Sequence, residues 1–219
     1  MKAAQITQYS KTICITVNDI PVPAIGDDEI LIRVKAAAVN PVDILNLTGA
    51  VRLIQDHKMP LTLGNECAGI VEKAGKHVTQ LQPGDRVYSR LPGSSLGAFA
   101  EYVAVPALTA ARMPEGLDFV TAAAIPLTGL TAYQAITEEL RAKPGETVFI
   151  PGGSGSLGQM AVPHRKGVGT PRHRLGKRTG KRGAPFRRCG PVYCVYRRKL
   201  LGDPVRRRLR HRRIGRKGI

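Results

Sequence analysis

Residues 152–158, Gly152-Gly153-Ser154-Gly155-Ser156-Leu157-Gly158, contain the spacing Gly-x-Gly-x-x-Gly. Each glycine has a separate physical task. Gly153 permits a tight turn, Gly155 lets backbone N–H groups approach a pyrophosphate, and Gly158 lets a helix close on a preceding strand. A helix opening at this turn adds partial positive charge for the same anion. The chemistry such a turn can do is to hold a dinucleotide, and the competing reading is a glycine-rich loop with no ligand. The apolar run Thr147-Val148-Phe149-Ile150-Pro151 before it and Leu157-Gly158-Gln159-Met160-Ala161-Val162 after it read as strand and helix start. That order opens a doubly wound α/β domain. Against it, no second apolar strand follows, and no charged residue stands at a strand end about 20 positions on to read a ribose.

Other polar residues each have a bland reading beside a functional one. Asn40, before Pro41, can be a turn and helix-cap residue. Glu66 reads as a buried carboxylate in a structural ion pair. Thr131 can bond a helix carbonyl, and Tyr102 and Tyr133 read as core aromatics. His57 and His77 lie in polar stretches and read as solvated. Cys14 and Cys67 are isolated, and Cys189 and Cys194 lack metal-site spacing. No general acid stands out. The cysteine usage fits a reducing cytoplasm.

The elements that must position these residues come in two kinds. Ile13-Cys14-Ile15-Thr16-Val17 and Ile30-Leu31-Ile32-Arg33-Val34 alternate with the two-residue period of half-buried strands. Asn40-Pro41-Val42-Asp43 starts as a turn and leads into a short helix capped by Asn40 or Asp43. Further strands are expected over 69–75, over 86–88 after the Pro83-Gly84-Asp85 turn, and over 97–105. Residues 1–110 thus read as short strands between Gly and Pro turns, a compact all-β barrel. Residues 118–124 and 129–140 are rich in Ala and Leu and read as helices. The expected organisation is a β-barrel domain over 1–125, the start of a dinucleotide-binding α/β domain over 126–163, and a tail over 164–219.

That tail differs in kind. The chain of 219 residues carries a net charge of +18, yet residues 1–163 have 13 Lys and Arg against 15 Asp and Glu. Residues 164–219 have 21 against one, Asp203. The change falls between Pro163 and His164, inside the helix that the glycine turn opens. No run of about 18 apolar residues suggests a membrane span, and residues 1–6 do not resemble a secretory signal.

Six landmarks in order carry a resemblance: Ala38-Val39-Asn40-Pro41-Val42-Asp43; Gly64-Asn65-Glu66-Cys67-Ala68-Gly69; Pro83-Gly84-Asp85-Arg86-Val87; Gly97-Ala98-Phe99-Ala100-Glu101-Tyr102; Ala123-Ala124-Ile125-Pro126 with Gly129-Leu130-Thr131-Ala132-Tyr133; and the glycine turn. On these, residues 1–163 resemble the zinc-independent, quinone oxidoreductase-like branch of the medium-chain dehydrogenase/reductase superfamily. The resemblance implies a GroES-like barrel beside a Rossmann domain, with NADPH giving hydride to a quinone or a conjugated carbonyl, and homodimers among intact relatives. It implies that Asn40 and Thr131 line the nicotinamide and that Gly152, Gly153, Ser154, Gly155, Leu157 and Gly158 hold the pyrophosphate. The zinc-dependent relatives have Cys where this chain has Asn40 and His where it has Asn65. A four-cysteine structural-zinc lobe is also missing between Tyr88 and Gly97, so no zinc is expected.

Two readings of the tail remain open. Arg187-Arg188, Arg206-Arg207-Arg208 and Arg210-His211-Arg212-Arg213 can neutralise phosphates, with Phe186, Tyr193 and Tyr196 available to stack on bases. The tail would then be a nucleic-acid-binding appendage, or a nonspecific polyanion binder, on an oxidoreductase remnant. Yet Arg outnumbers Lys sixteen to five there, and such bias also arises when a GC-rich gene is read out of frame. Back-translated from His164 with one base dropped, the segment to Thr179 can read I-A-K-A-L-G-L-R-V-I-V-S-G-N-E-R. That string finishes a helix, turns at glycine and supplies the missing second strand. Residues 183–193 can likewise read through a Gly-Ala-Asp that would lead into a third strand. The expectation is a frameshifted tail, disordered by charge repulsion, with NADPH binding weak or absent and the chain inactive.

Overall fold

The structure, a computed structural model, describes residues 1–141, 143, 148, 150 and 152–167. The chain divides into two compact units, Met1–Leu127 and Thr128–Ile219.

The first unit is built from eight strands and two helices. Strands β1 (Lys2–Ile6), β2 (Thr16–Asp19) and β4 (Leu61–Thr62) form a three-stranded sheet in the order β2-β1-β4. Strands β3 (Glu29–Ala37), β5 (Glu66–Ala74), β6 (Arg86–Arg90), β7 (Tyr102–Pro106) and β8 (Ala110–Arg112) form a second sheet in the order β7-β3-β5-β6-β8. Every pairing is antiparallel. The segment before β7 stitches the sheets together. Ala100 bridges Ala3, Phe99 N–H donates to Leu63 O, and Ala4 N–H donates to Phe99 O. The result is the GroES-like barrel expected for this unit. Its core is Ile30, Ile32, Cys67, Val71, Leu81, Val87, Leu91, Val103 and Val105.

Helix α1 (Pro41–Thr48) follows β3, and α2 (Phe119–Ala123) seats Ala122 and Ala123 against Ala68 and Met113. Asp118 caps α2, its carboxylate accepting the Thr121 N–H at 2.9 Å. Those Thr121 hydrogen bonds hold its carboxyl below the usual range.

Three expected elements differ. The alternation over 13–17 is not a five-residue strand: β2 starts at Thr16, because β1 ends near the Gln5↔Thr16 pair and residues 13–15 run past it. Nor is that face buried, since Ile13 is 65% exposed ahead of the strand and Val17 is 67% exposed on β2, an edge strand with one neighbour. Over 97–105, only Tyr102–Pro106 is regular strand. The preceding residues cross between sheets, and Gly97 takes a positive φ of 144° to do so. The helix over 129–140 is α3 (Pro126–Tyr133) continued by a π-helical turn, Gln134–Glu139. There the Thr137 hydroxyl bonds back to Tyr133 O, a local competitor for the ladder, and Leu140 N–H reaches Ala135 O.

The second unit has the beginning of a Rossmann-like arrangement. Ala132, Ile136, Val148, Ile150 and Ala161 form one buried cluster. Helix α4 (Ser156–Gly167) opens at the glycine turn and runs through Pro163. Of the strand expected at 147–151, only Val148 and Ile150 are described, and both are buried. All expectations for residues 168–219 lie outside the described residues. No helix among the described residues is long and apolar enough to cross a membrane.

Candidate functional site

The first unit gathers five buried polar side chains from two elements and the turn between strands: Asn40, Asp43, Asn46, Asn65 and Glu66. Asn40, three residues beyond the end of β3, is in extended backbone and caps α1, with Pro41 at the first helical position, where its missing N–H costs nothing. Asp43, three residues on, reaches back so that its Oδ2 accepts the Asn40 N–H at 2.7 Å. That is half of a capping box. Its Oδ1 accepts from Asn65 Nδ2 at 2.5 Å. Gly64, with φ of 101°, makes the turn that delivers Asn65 and Glu66 to β5, and a Cβ there would press on Phe99 N.

Glu66 completes the chain of contacts. Its Oε1 accepts from Asn40 Nδ2 at 2.7 Å, and its Oε2 accepts the Leu127 N–H at 2.6 Å. The structural ion pair expected of Glu66 is replaced by these two hydrogen bonds. Burial pushes both carboxyls above their ordinary range. Opposing it, the Asn40 N–H, Asn65 amide and Gly64 N–H favour ionised Asp43. The Leu127 N–H and Asn40 amide do the same for Glu66, with the charge of Asp43 raising it further and Arg90 lowering it. Burial, with the Glu66 charge beside it, pushes the Cys67 thiol up to about 12, so it stays a protonated core residue rather than a nucleophile.

In the second unit, Gly152 is in left-handed backbone at φ 67°, and Gly155 N–H closes the turn on Gly152 O at 2.8 Å. The second glycine's N–H is therefore used within the turn. The N–H groups left for an anion are those of the first turn of α4, Ser156 to Gly158, which a helix cannot satisfy internally. Gly153 and Gly158 are buried against each other, while Ser154 and Leu157 are exposed. A Cβ on Gly158 would overlap the Gly152 and Gly153 backbone. Gly158→Ala should therefore spread the turn and cost about 1–3 kcal/mol, seen as faster proteolysis near residue 155 with the barrel's unfolding unchanged.

Asn40 thus lies in the first unit, and Thr131, exposed on α3, lies with the glycine turn in the second. The sequence reading of Asn40 as a cap holds, but its amide is also committed to Glu66. Asp43 and Asn65 join this network only in the folded chain. The spacing Asn40-Pro41-x-Asp43 carries a capping signal, whereas nothing local links Asp43 to Asn65. Two other readings change. Tyr133 is 46% exposed rather than core. His57 is half-buried, its N–H taken by Tyr9 Oη at 3.0 Å. His77 is exposed as expected, against Asp28 at 3.2 Å. Among the described residues no group of three or more His, Cys, Asp and Glu side chains is placed to hold a metal ion.

Comparison with known proteins agrees with this architecture. Residues 26–115 match the family described as alcohol dehydrogenase GroES-like domain. The chain is 34% identical over 175 residues to the 2-methylene-furan-3-one reductase of Solanum lycopersicum, covering 77% of this chain and 45% of that protein. It is 35% identical over 152 residues to the quinone oxidoreductase of Homo sapiens, covering 69% and 45%. Among solved structures, the quinone oxidoreductase from Coxiella burnetii superposes with a TM-score of 0.69 at 31% identity, covering 78% of this chain and 54% of that one. The Escherichia coli quinone oxidoreductase complexed with NADPH gives 0.66 at 28%, covering 78% and 51%. The chain spans about half the length of the curated relatives it matches. On the barrel, the ordered landmarks and these likenesses, the chain belongs to the medium-chain dehydrogenase/reductase superfamily, in its quinone oxidoreductase-like branch.

Proposed function

We propose that this chain derives from a zinc-independent, NADP(H)-dependent oxidoreductase that passes hydride to a small quinone or conjugated carbonyl, and that the chain as it stands is inactive. The observation that carries the reading is the glycine turn that opens α4, with Gly158 too tightly packed for any side chain. Gly152, Gly153, Ser154, Gly155, Leu157 and Gly158 would hold the pyrophosphate, the first-turn N–H groups of α4 facing the anion. Asn40 and Thr131 would lie on the nicotinamide side. NADPH, when bound, supplies the hydride. The same resemblance supports a homodimer of the intact protein, and the cysteine usage supports a cytoplasmic location.

Zinc does not fit the donor set. In place of a thiolate and an imidazole stand the amides of Asn40 and Asn65, whose nitrogens are already donating to Glu66 and Asp43. Zinc takes lone pairs from sulfur, imidazole nitrogen or carboxylate oxygen, and an amide N–H has none to give.

The inactive state rests on the charge break at Pro163 and His164 and on the shifted-frame reading of the tail. NADPH fluorescence titration of this chain should give affinity weaker than micromolar. The product of a gene with one base deleted at codon 164 should bind at least tenfold more tightly. Tight binding by the unaltered chain would count against inactivity, and an intact frame found in independent isolates would remove the frameshift. A nucleic-acid role for the tail predicts instead a selective complex whose log affinity falls linearly with log salt.

A further inference from the structure

Two hydrogen-bond donors converge on the fully buried Glu66 carboxylate, the Asn40 side-chain amide and the Leu127 N–H. The second belongs to the main chain and can only donate. A carboxylate offers acceptors to both. An amide or a protonated carboxyl offers one acceptor and one donor, so it must mismatch one partner. The Asn40 amide has two chemically opposite ends, and its last torsion is soft. Asn40 Nδ2 also donates to Ala38 O, but at 3.4 Å against 2.7 Å to Glu66 Oε1, so what Glu66 offers decides which end turns inward. Asp43 anchors the main chain of the same residue through the Asn40 N–H, leaving only that torsion to be set. The charged and titratable groups acting on Glu66 are Asp43 from α1 and Arg90 from β6, with Cys67 adjacent on β5.

We propose that Glu66 is a positioning residue that fixes the polarity of Asn40, drawing Nδ2 inward so that carbonyl Oδ1 is the atom offered to a hydrogen-bond donor on the nicotinamide side of a bound cofactor. Naming that ligand rests on the functional reading above, whereas the polarity itself does not. The consequence of Glu66→Gln follows from the donor count. Leu127 N–H cannot turn away, so the new amide must give it the carbonyl oxygen and present its NH2 group to Asn40. Asn40 then rotates, with Oδ1 inward and the donor outward. A change of one atom, oxygen to nitrogen, inverts what the site presents without removing Asn40.

The test is nuclear magnetic resonance on the isotopically labelled full chain. In the wild type, a through-hydrogen-bond correlation should join the Asn40 side-chain N–H to the Glu66 carboxyl carbon, with that proton shifted downfield. In Glu66→Gln the correlation should reverse, from the Gln side-chain N–H to the Asn40 carbonyl carbon, while the barrel's backbone resonances stay in place. Asn40 amide resonances identical in the two proteins would overturn the proposal. If the variant fails to fold, the wild type decides, because absence of the Asn40–Glu66 correlation overturns it equally. NADPH added to the wild type separates the ligand from the polarity. Shifts at both residues 153–158 and the Asn40 side chain support the ligand assignment, and shifts confined to 153–158 overturn it. No shift anywhere at millimolar NADPH overturns the ligand assignment for this chain, in keeping with the inactive state, and leaves the Asn40–Glu66 result standing.

Discussion

Gly69→Ala should unfold the barrel at a temperature lower by roughly 10 °C or more. Gly69 lies mid-strand in β5, opposite Val34 of β3 and Val87 of β6. A Cβ there would overlap the Arg33 carbonyl oxygen and come within 2.7 Å of Ile32 Cγ2. The obstacle is main chain in the neighbouring strand, which a rotamer change cannot relieve. Beside it the β3–β5 register already shifts between Val34 and Ala36, so the ladder has little slack. Overpacking of this kind costs about 3 kcal/mol. Thermal unfolding followed by far-ultraviolet circular dichroism measures it, and an unchanged midpoint would contradict the packing described for β5.

Asp43→Ala should cost about 2–4 kcal/mol, because it strands two donors at once. The Asn65 amide and the Asn40 N–H both end on this carboxylate, and all three residues are buried. Denaturant unfolding with an unchanged m-value would identify a pure stability loss. The pH dependence of the same network has a definite sign. Burial raises the carboxyls of Asp43 and Glu66 in the folded chain, so the folded state holds protons more tightly than the unfolded one. Their contribution is fully present below the unfolded values, at about pH 4, and is lost as pH rises through the folded ones. Asp118 acts in the opposite sense, its depressed carboxyl weakening α2 as pH falls. Comparing the wild type with Glu66→Gln cancels that term. The stability advantage of the wild type should shrink as pH rises above about 4, and an advantage that grows with pH would reverse the sign argued here.

Local physics explains what could be seen in the sequence. Residues 30–34 alternate and become β3 because that strand lies between two neighbours and has one face on the core, the circumstance that writes a two-residue period. Residues 13–17 alternate equally well but lead into the edge strand β2, where the same pattern faces outward. The cap at Asn40 and Asp43 was legible because its partners are three residues apart. The bond between Asn40 and Glu66 was not, because it joins residues 26 apart brought together only by the pairing of β3 with β5. The glycine turn was legible from its spacing. Its internal bond from Gly155 N–H to Gly152 O was not, since spacing shows which residues can turn but not which N–H groups the turn consumes. The π-helical turn after Tyr133 carries no period distinct from the α-helix expected there.

Cys67 sits in the sheet next to Glu66, sealed from solvent and with its sulfur held in the unreactive form. Covalent modification by a water-soluble alkylating reagent can therefore reach it only when β5 separates from its neighbours. The peptide carrying that sulfur is a built-in clock for barrel opening, readable by mass spectrometry without any introduced label, and its rate times the same event that would set Asn40 adrift.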